Sequence, residues 1–211
     1  MKTTNVFYFI KSLVVVLLHS INLFSQQSIE YTVIDIGSFG AESYARGVNS
    51  KGHVVGYSRV QGSNIWKGFI WIDSVMTDLG SLGPDDTWAW AINDSDEVTG
   101  QSYTASDDIH AFRWKKGIIS DEGTLGGTDS RGYAINNSGV IVGESMIAGD
   151  IRYAAFRSSN GSMQNLNIDP SNRASAEGIN NSGQIVGWKD IKLTTECCLL
   201  ISFRSLRLET T

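Results

Sequence analysis

The sequence predicts an all-β protein, a β-propeller of about four four-stranded antiparallel blades, and three observations predict it. One ten-residue motif recurs four times at near-constant spacing, two further motifs recur in phase with it, and each repeat divides into short runs of strand-forming residues. The first motif reads GVNSKGHVVG from Gly47, AINDSDEVTG from Ala91, AINNSGVIVG from Ala134 and GINNSGQIVG from Gly178. Its asparagines, Asn49, Asn93, Asn136 and Asn180, are 44, 43 and 44 residues apart. Seven places after each stands a glycine, Gly56, Gly100, Gly143 and Gly187, with the same steps. The second motif is DIGSFG from Asp35, DLGSLG from Asp78 and DEGTLGG from Asp121. The third is aromatic, with GFIW around Phe69, HAFRW around Phe112, AAFRS around Phe156 and, more distantly, ISFRS around Phe203.

Each repeat reads as four strands in order. In the first, SYARGVN, HVVGYSRV, KGFIWI and SVMTDLG are short, rich in β-formers and bounded by Gly, Asn, Asp or Ser. Four antiparallel strands per repeat of about 44 residues is the pattern of a propeller blade. A stacked β array and a sandwich are the alternatives; no helical periodicity and no leucine ladder supports a helical or leucine-rich solenoid. The units run over residues 37–79, 80–122, 123–166 and 167–211. IEYTVIDIG resembles a fourth strand, so the segment 31–36 is expected to pair beside Phe203 and close the ring. An open array or a fragment of a larger propeller is the alternative.

Within the first motif the asparagine side chain is expected to fold back on the backbone of a tight hairpin. Gly52, Gly139 and Gly183 then take the positive φ that the turn requires, and Asp96 takes it in the second unit. The later glycine falls inside a strand, where a missing side chain lets a neighbouring backbone or ring approach closely. The motif is architecture.

Residues 1–25 begin with Lys2 and Lys11 and continue SLVVVLLHSINLFS, the basic start and apolar core of a secretory signal peptide. A transmembrane helix is the alternative, but the apolar run falls short of the ~20 residues that span a bilayer. The expected product, residues 26–211, is a single exported repeat domain, extracellular or periplasmic and not inserted in a membrane. It keeps 15 basic against 22 acidic residues, a net charge near −7, which disfavours nucleic acid and anionic membranes as partners. Cys197 and Cys198 are adjacent and so excluded from an ordinary disulfide with each other; they read as small buried side chains, with an intermolecular bridge as the alternative.

DLGSLG, AINDSDEVTGQS and HAFRW, then TLGG, AINNSGVIVGES and AAFR, together resemble the HAF repeat family of bacterial extracellular proteins, whose His-Ala-Phe stands here at His110, Ala111 and Phe112. The resemblance covers roughly residues 35–188. It implies an exported repeat protein of propeller-like β architecture and implies no established enzymatic activity. The fourth unit departs from it, with NLNIDPSN in place of the Leu-Gly motif and KDIKLTTECCLLI following no repeat.

Chemistry-bearing residues are sparse. His53 and His110 occupy non-equivalent places, no His/Cys/Asp cluster has metal-ligand spacing, and the Gly-rich stretches read as turns, so no catalytic, cofactor or metal residue is assigned. NDSDE, residues 93–97, has alternating oxygens but lacks the glycine and distal glutamate of an EF-hand. In a four-stranded meander the loops joining strand two to three and strand four to the next unit share one face, opposite the asparagine hairpins. Those loops vary on a constant scaffold, which is where binding usually resides. They bring forward Trp66, Asp85, Asp86, Trp88, Trp90, Asp107, Asp108, Arg131 and Arg152 as candidate binding residues. Trp88 and Trp90 would stack on a sugar or an aromatic side chain; their alternate spacing also suits a strand start. The function expected is a non-enzymatic binding or scaffold module for an extracellular glycan or protein, acting as a monomer. The alternatives are a propeller glycosidase or polysaccharide lyase using paired loop carboxylates, and a purely structural surface repeat.

Overall fold

The computed structural model describes residues 30–84, 86–166, 168 and 171–190, and the backbone of 197–201. Among these residues the chain is all-β, in four antiparallel sheets. Residues 30–35 fall in a unit of their own and carry no strand.

The first sheet contains β1 (Gly40–Val48), β2 (Val54–Val60), β3 (Trp66–Ile72) and β4 (Val75–Asp78). The second contains β5 (Thr87–Ile92), β6 (Val98–Tyr103), β7 (Ile109–Lys115) and β8 (Ile118–Gly123). The third contains β9 (Gly126–Ile135), β10 (Ile141–Ile147), β11 (Tyr153–Ser159) and β12 (Ser162–Asn165), and the fourth β13 (Ala174–Ile179), β14 (Ile185–Lys189) and β15 (Cys197–Ile201). In every sheet sequential strands are neighbours, so each is a simple meander. The four strands read from the first repeat are all formed.

Two expectations are corrected. The strand expected at 31–36 is absent, and Tyr31, Val33 and Ile34 are exposed. Strand propensity without a paired neighbour does not hold a strand in water. The expected partner, Phe203, lies outside the described residues. The third strand of the fourth sheet is also not centred on Phe203: β15 is CCLLI, and Leu199 stands opposite Gly187 where Phe69, Phe112 and Phe156 stand opposite Gly56, Gly100 and Gly143. A continuous apolar run at the right distance takes the pairing although it breaks the repeat pattern. The side chains of Cys197 and Cys198 lie outside the described residues.

The hairpins form as their sequence requires. The side-chain oxygen of Asn93 accepts the Ser95 and Glu97 N–H groups at 2.9 and 3.0 Å; Asn49, Asn136 and Asn180 do the same two and four residues on. Gly52, Gly139 and Gly183 have φ of 80°, 73° and 79°, and Asp96 has 61°. A Cβ at Gly56, Gly100, Gly143 or Gly187 would overlap a carbonyl oxygen of the adjacent first strand. At Gly100 it would also press on the buried Phe112 ring. The linker motif is fixed by a buried serine on the second strand of each of the first three sheets: Ser58, Ser102 and Ser145 accept the N–H groups of Phe39, Leu82 and Leu125 at 2.9, 3.0 and 2.8 Å.

Each sheet packs on the next along the chain. Val55 and Ile70 of the first sheet pack with Ala89, Ile92 and Val98 of the second; Ala111 of the second with Ile135 and Phe156 of the third; Val142 of the third with Ala174, Ala176 and Ile185 of the fourth. The second junction also carries a buried ion network: Arg113 bonds Glu122 at 2.7 Å, Glu97 at 3.2 Å and the Gly139 carbonyl at 2.8 Å. Burial opposes charge on Glu97, yet Lys115 and Arg113 hold its carboxyl below the usual range. The first strands of successive sheets touch throughout, while among the described residues β8 and β12 are the one pair of fourth strands with more than marginal contact. The sheets therefore fan out from their first strands.

Candidate functional site

The first strands carry a pattern that alternates fixed and variable chemistry. Aligned on the hairpin asparagine they read Ser43-Tyr44-Ala45-Arg46-Gly47-Val48, Thr87-Trp88-Ala89-Trp90-Ala91-Ile92, Ser130-Arg131-Gly132-Tyr133-Ala134-Ile135 and Ala174-Ser175-Ala176-Glu177-Gly178-Ile179. The third and fifth places are always Ala or Gly, and close sheet-to-sheet packing uses them: Gly132 sits against Thr99 and Ala89 packs with Val55 of the sheet before, while Gly47 sits against Trp90 and Ala91 of the sheet after. The second and fourth places are free of that demand and hold Tyr/Arg, Trp/Trp, Arg/Tyr and Ser/Glu. The fourth place, Arg46, Trp90, Tyr133 or Glu177, falls at a bulge in each of the four sheets. A repeated bulge re-aims one side chain per sheet.

On the first two sheets this row builds an aromatic cluster. Tyr44, Tyr57 and Trp66 lie with ring centroids 5.3 to 5.8 Å apart, and Trp90 meets Tyr57 edge-on at 5.6 Å. The Arg46 guanidinium stands 5.7, 5.1 and 5.2 Å from the Tyr44, Tyr57 and Trp90 rings and donates to the Tyr57 hydroxyl. Such cation–π stacking is electrostatically favourable, and here the cation faces three rings. The Trp90 Nε1 is buried with no acceptor.

On the third and fourth sheets the row is charged. Arg131 reaches Asp129 at 3.3 Å and Glu144 at 3.4 Å and stacks 5.1 Å from the Tyr153 ring, which Arg173 also faces at 5.3 Å. Tyr133 donates to Glu144 at 2.9 Å, and the Trp188 Nε1 donates to Glu177 at 3.0 Å. Burial pushes the Glu144 carboxyl up despite those donors. Burial, reinforced by the Glu144 charge, also pushes the Tyr133 phenol up.

The candidate residues read from the sequence divide accordingly. Trp88 and Trp90 lie within β5 and Arg131 within β9, not in loops; all three are half-buried. Trp88 packs on Tyr103 at 5.9 Å. Trp66 opens β3 and joins the aromatic cluster. Asp86 is structural: its carboxylate accepts the Trp66 N–H at 2.7 Å and its carbonyl the Tyr103 N–H at 3.0 Å. Asp129 repeats the first contact one unit later, on the Ile109 N–H at 3.4 Å. Asp107, at φ 69°, and Asp108 close the β6–β7 turn around Thr104. The Arg152 carbonyl accepts the Ile147 N–H while its Nε is buried without a partner. Asp85 lies outside the described residues. The structure thus joins Trp66 and Trp90 in one cluster, sets Arg131 in the charged part of the row, and leaves Asp107, Asp108 and Arg152 in separate turns.

Sequence reasoning missed Tyr44, Arg46, Tyr133 and Glu177. Their signal was present in the alternation of fixed small and variable large residues ahead of each hairpin, and it stood out less than the more regular hairpin motif. Searched against family models and curated proteins, the chain matches none.

Proposed function

We propose that this chain is an exported binding module of propeller type, each sheet a blade, that engages an extracellular ligand through the first-strand row rather than through loop tips. One observation carries the reading: chemistry varies at the two first-strand positions that the scaffold does not hold small, and there it is aromatic or charged at every place but Ser175. Aromatic rings beside arginine are the side chains that dominate recognition energies. Tyr44 is exposed, so the cluster is open to solvent. The likeness to the HAF repeat family supports export and supports binding over catalysis. No helix among the described residues is long and apolar enough to cross a membrane.

A glycan array and a peptide library probed with the purified chain test this, with oligosaccharide turnover assayed in parallel. Arg46→Ala and Trp90→Ala are expected to abolish capture, and Asp107→Ala and Asp108→Ala to leave it unchanged. Capture lost only in the aspartate variants, or bond cleavage that those variants remove, would replace this reading with the glycosidase one. Intact mass of the secreted product checks export; a chain beginning at Met1 would refute it.

A further inference from the structure

Three like junctions join the four sheets, and the two ends of the stack carry the unused halves of a fourth. At each internal junction the residue before the strand glycine on the second strand is fully covered by the next sheet: Val55, Thr99 and Val142 are 0% exposed, whereas Val186 in the same place on the last sheet is 47% exposed. The matching residue on the receiving first strand is buried at 9% in Ile92 and 8% in Ile135 and half-buried in Ile179, whereas Val48 on the first sheet is 66% exposed. Beside it Ala45 is exposed, while Ala89 and Ala176 are fully buried.

The hydrogen bonds end in the same complementary way. Asn49, Asn93 and Asn136 each donate Nδ2–H to the carbonyl of the next hairpin asparagine, at 3.1, 3.0 and 3.2 Å. The residue after each donates its N–H to the side chain one unit on: Ser50 to Asp94, Asp94 to Asn137, Asn137 to Asn181, at 2.9 to 3.0 Å. At the last sheet the Asn180 amide turns instead to its own Gln184, and among the described residues the Asn181 N–H has no such acceptor. Among the described residues the Asn49 carbonyl at the first sheet accepts only Gly52 within its turn, where its three equivalents accept a second donor, and no N–H reaches the Ser50 side chain. Among the described residues no strand of the fourth sheet makes more than a marginal contact with one of the first.

We propose that a second copy of this chain completes the series, its fourth sheet seated on the first sheet of its neighbour. Val186 covers Ala45 and Val48, the Asn180 amide turns to the Asn49 carbonyl, and the Asn181 N–H meets Ser50. The continuity of the interface decides the occupant: what is exposed at one end is what the internal junctions bury against the features exposed at the other. The contact is heterologous, so two copies close a ring where the rotation permits and extend where it does not. This goes beyond the proposed binding role and replaces the expectation of a monomer.

Sedimentation equilibrium of the purified chain from about 1 µM to about 1 mM tests it. The mass is expected to rise from one chain to two or more. Val48→Asp and Val186→Asp, both on exposed side chains, are each expected to stay monomeric, and a mixture of the two is expected to pair, since each retains the end the other lacks. Hydrogen exchange of the unmodified chain gives a readout independent of either variant: peptides spanning 43–50 and 178–188 are expected to slow with concentration. A single-chain mass throughout, with exchange unchanged, would overturn the proposal and leave a different partner or closure within one chain. Association that survives both substitutions, or that the mixture does not restore, would equally overturn it.

Discussion

The hairpin end and the first-strand row of this molecule belong to the same strands, yet they obey opposite rules. In the hairpins nearly every polar atom is used: the side chain of Asn93 holds its own turn through one oxygen and the next sheet through one nitrogen. Four residues earlier on the same strand, Ala89 is held small by its neighbour, and between the two Trp90 shares its place with arginine, tyrosine and glutamate. A position with three hydrogen-bond obligations admits one residue type, whereas a position that need not stay small to let the next sheet in admits many. The scaffold keeps its specificity in the first and leaves chemistry to the second.

The sharpest way to break that contrast is at the strand glycines. Gly100→Ala drives a methyl into the Trp88 carbonyl and the Phe112 ring, and the loss is expected to exceed about 3 kcal/mol in urea unfolding, more than most overpacking substitutions cost. Asn93→Ala comes next. It removes two turn bonds and one inter-sheet bond in a buried setting, about 2 to 4 kcal/mol at about 1 kcal/mol or more each. Asn93→Asp sharpens the comparison, because it keeps the accepting oxygen and loses only the amide to Asn136; the unfolding midpoint is expected between those of the parent and the alanine variant.

In the row, Glu144 gives a smaller and pH-dependent effect. Its folded carboxyl titrates above its ordinary value because it is buried, so folding favours the protonated form. The resulting stability is fully present below the unfolded value near 4.5 and is lost as pH rises through the folded one. Glu144→Gln, which keeps an acceptor for Tyr133, is expected to unfold at higher urea than the parent at pH 8 and at the same urea at pH 4. His110 behaves alike at the outer strands. Asp121 at 2.7 Å raises its pKa, so that its contribution is present below about 6.5 and fades as pH rises above it. His110→Gln is expected to remove that part of the pH profile. The smallest stability effects belong to the exposed row: Tyr44→Ala and Arg46→Ala are expected to cost no more than about 1 kcal/mol by thermal unfolding, while ligand capture falls most.

The sequence by itself determined what depends on a few adjacent residues. An asparagine oxygen reaching two and four residues on, a glycine or Asp96 at positive φ, and apolar runs bounded by turns are local events, and all were readable. So was the close approach at Gly56, Gly100, Gly143 and Gly187, because a glycine inside a strand states that something lies against it. Only the tertiary structure decided what depends on contacts between strands that the sequence keeps apart. The asparagine amides bridge one hairpin to the next, and Asp86 and Asp129 hold strand ends of the preceding sheet. Trp90, Arg46 and Tyr57 meet in one cluster although they come from three strands of two sheets. The 31–36 segment and β15 make the same point from opposite sides: equal propensity forms a strand where a partner edge waits and none where it does not. Local rules set each strand and turn, but which side chains converge is fixed by the angle at which one sheet leans on the next, and that angle is a property of the packed junction rather than of any single repeat.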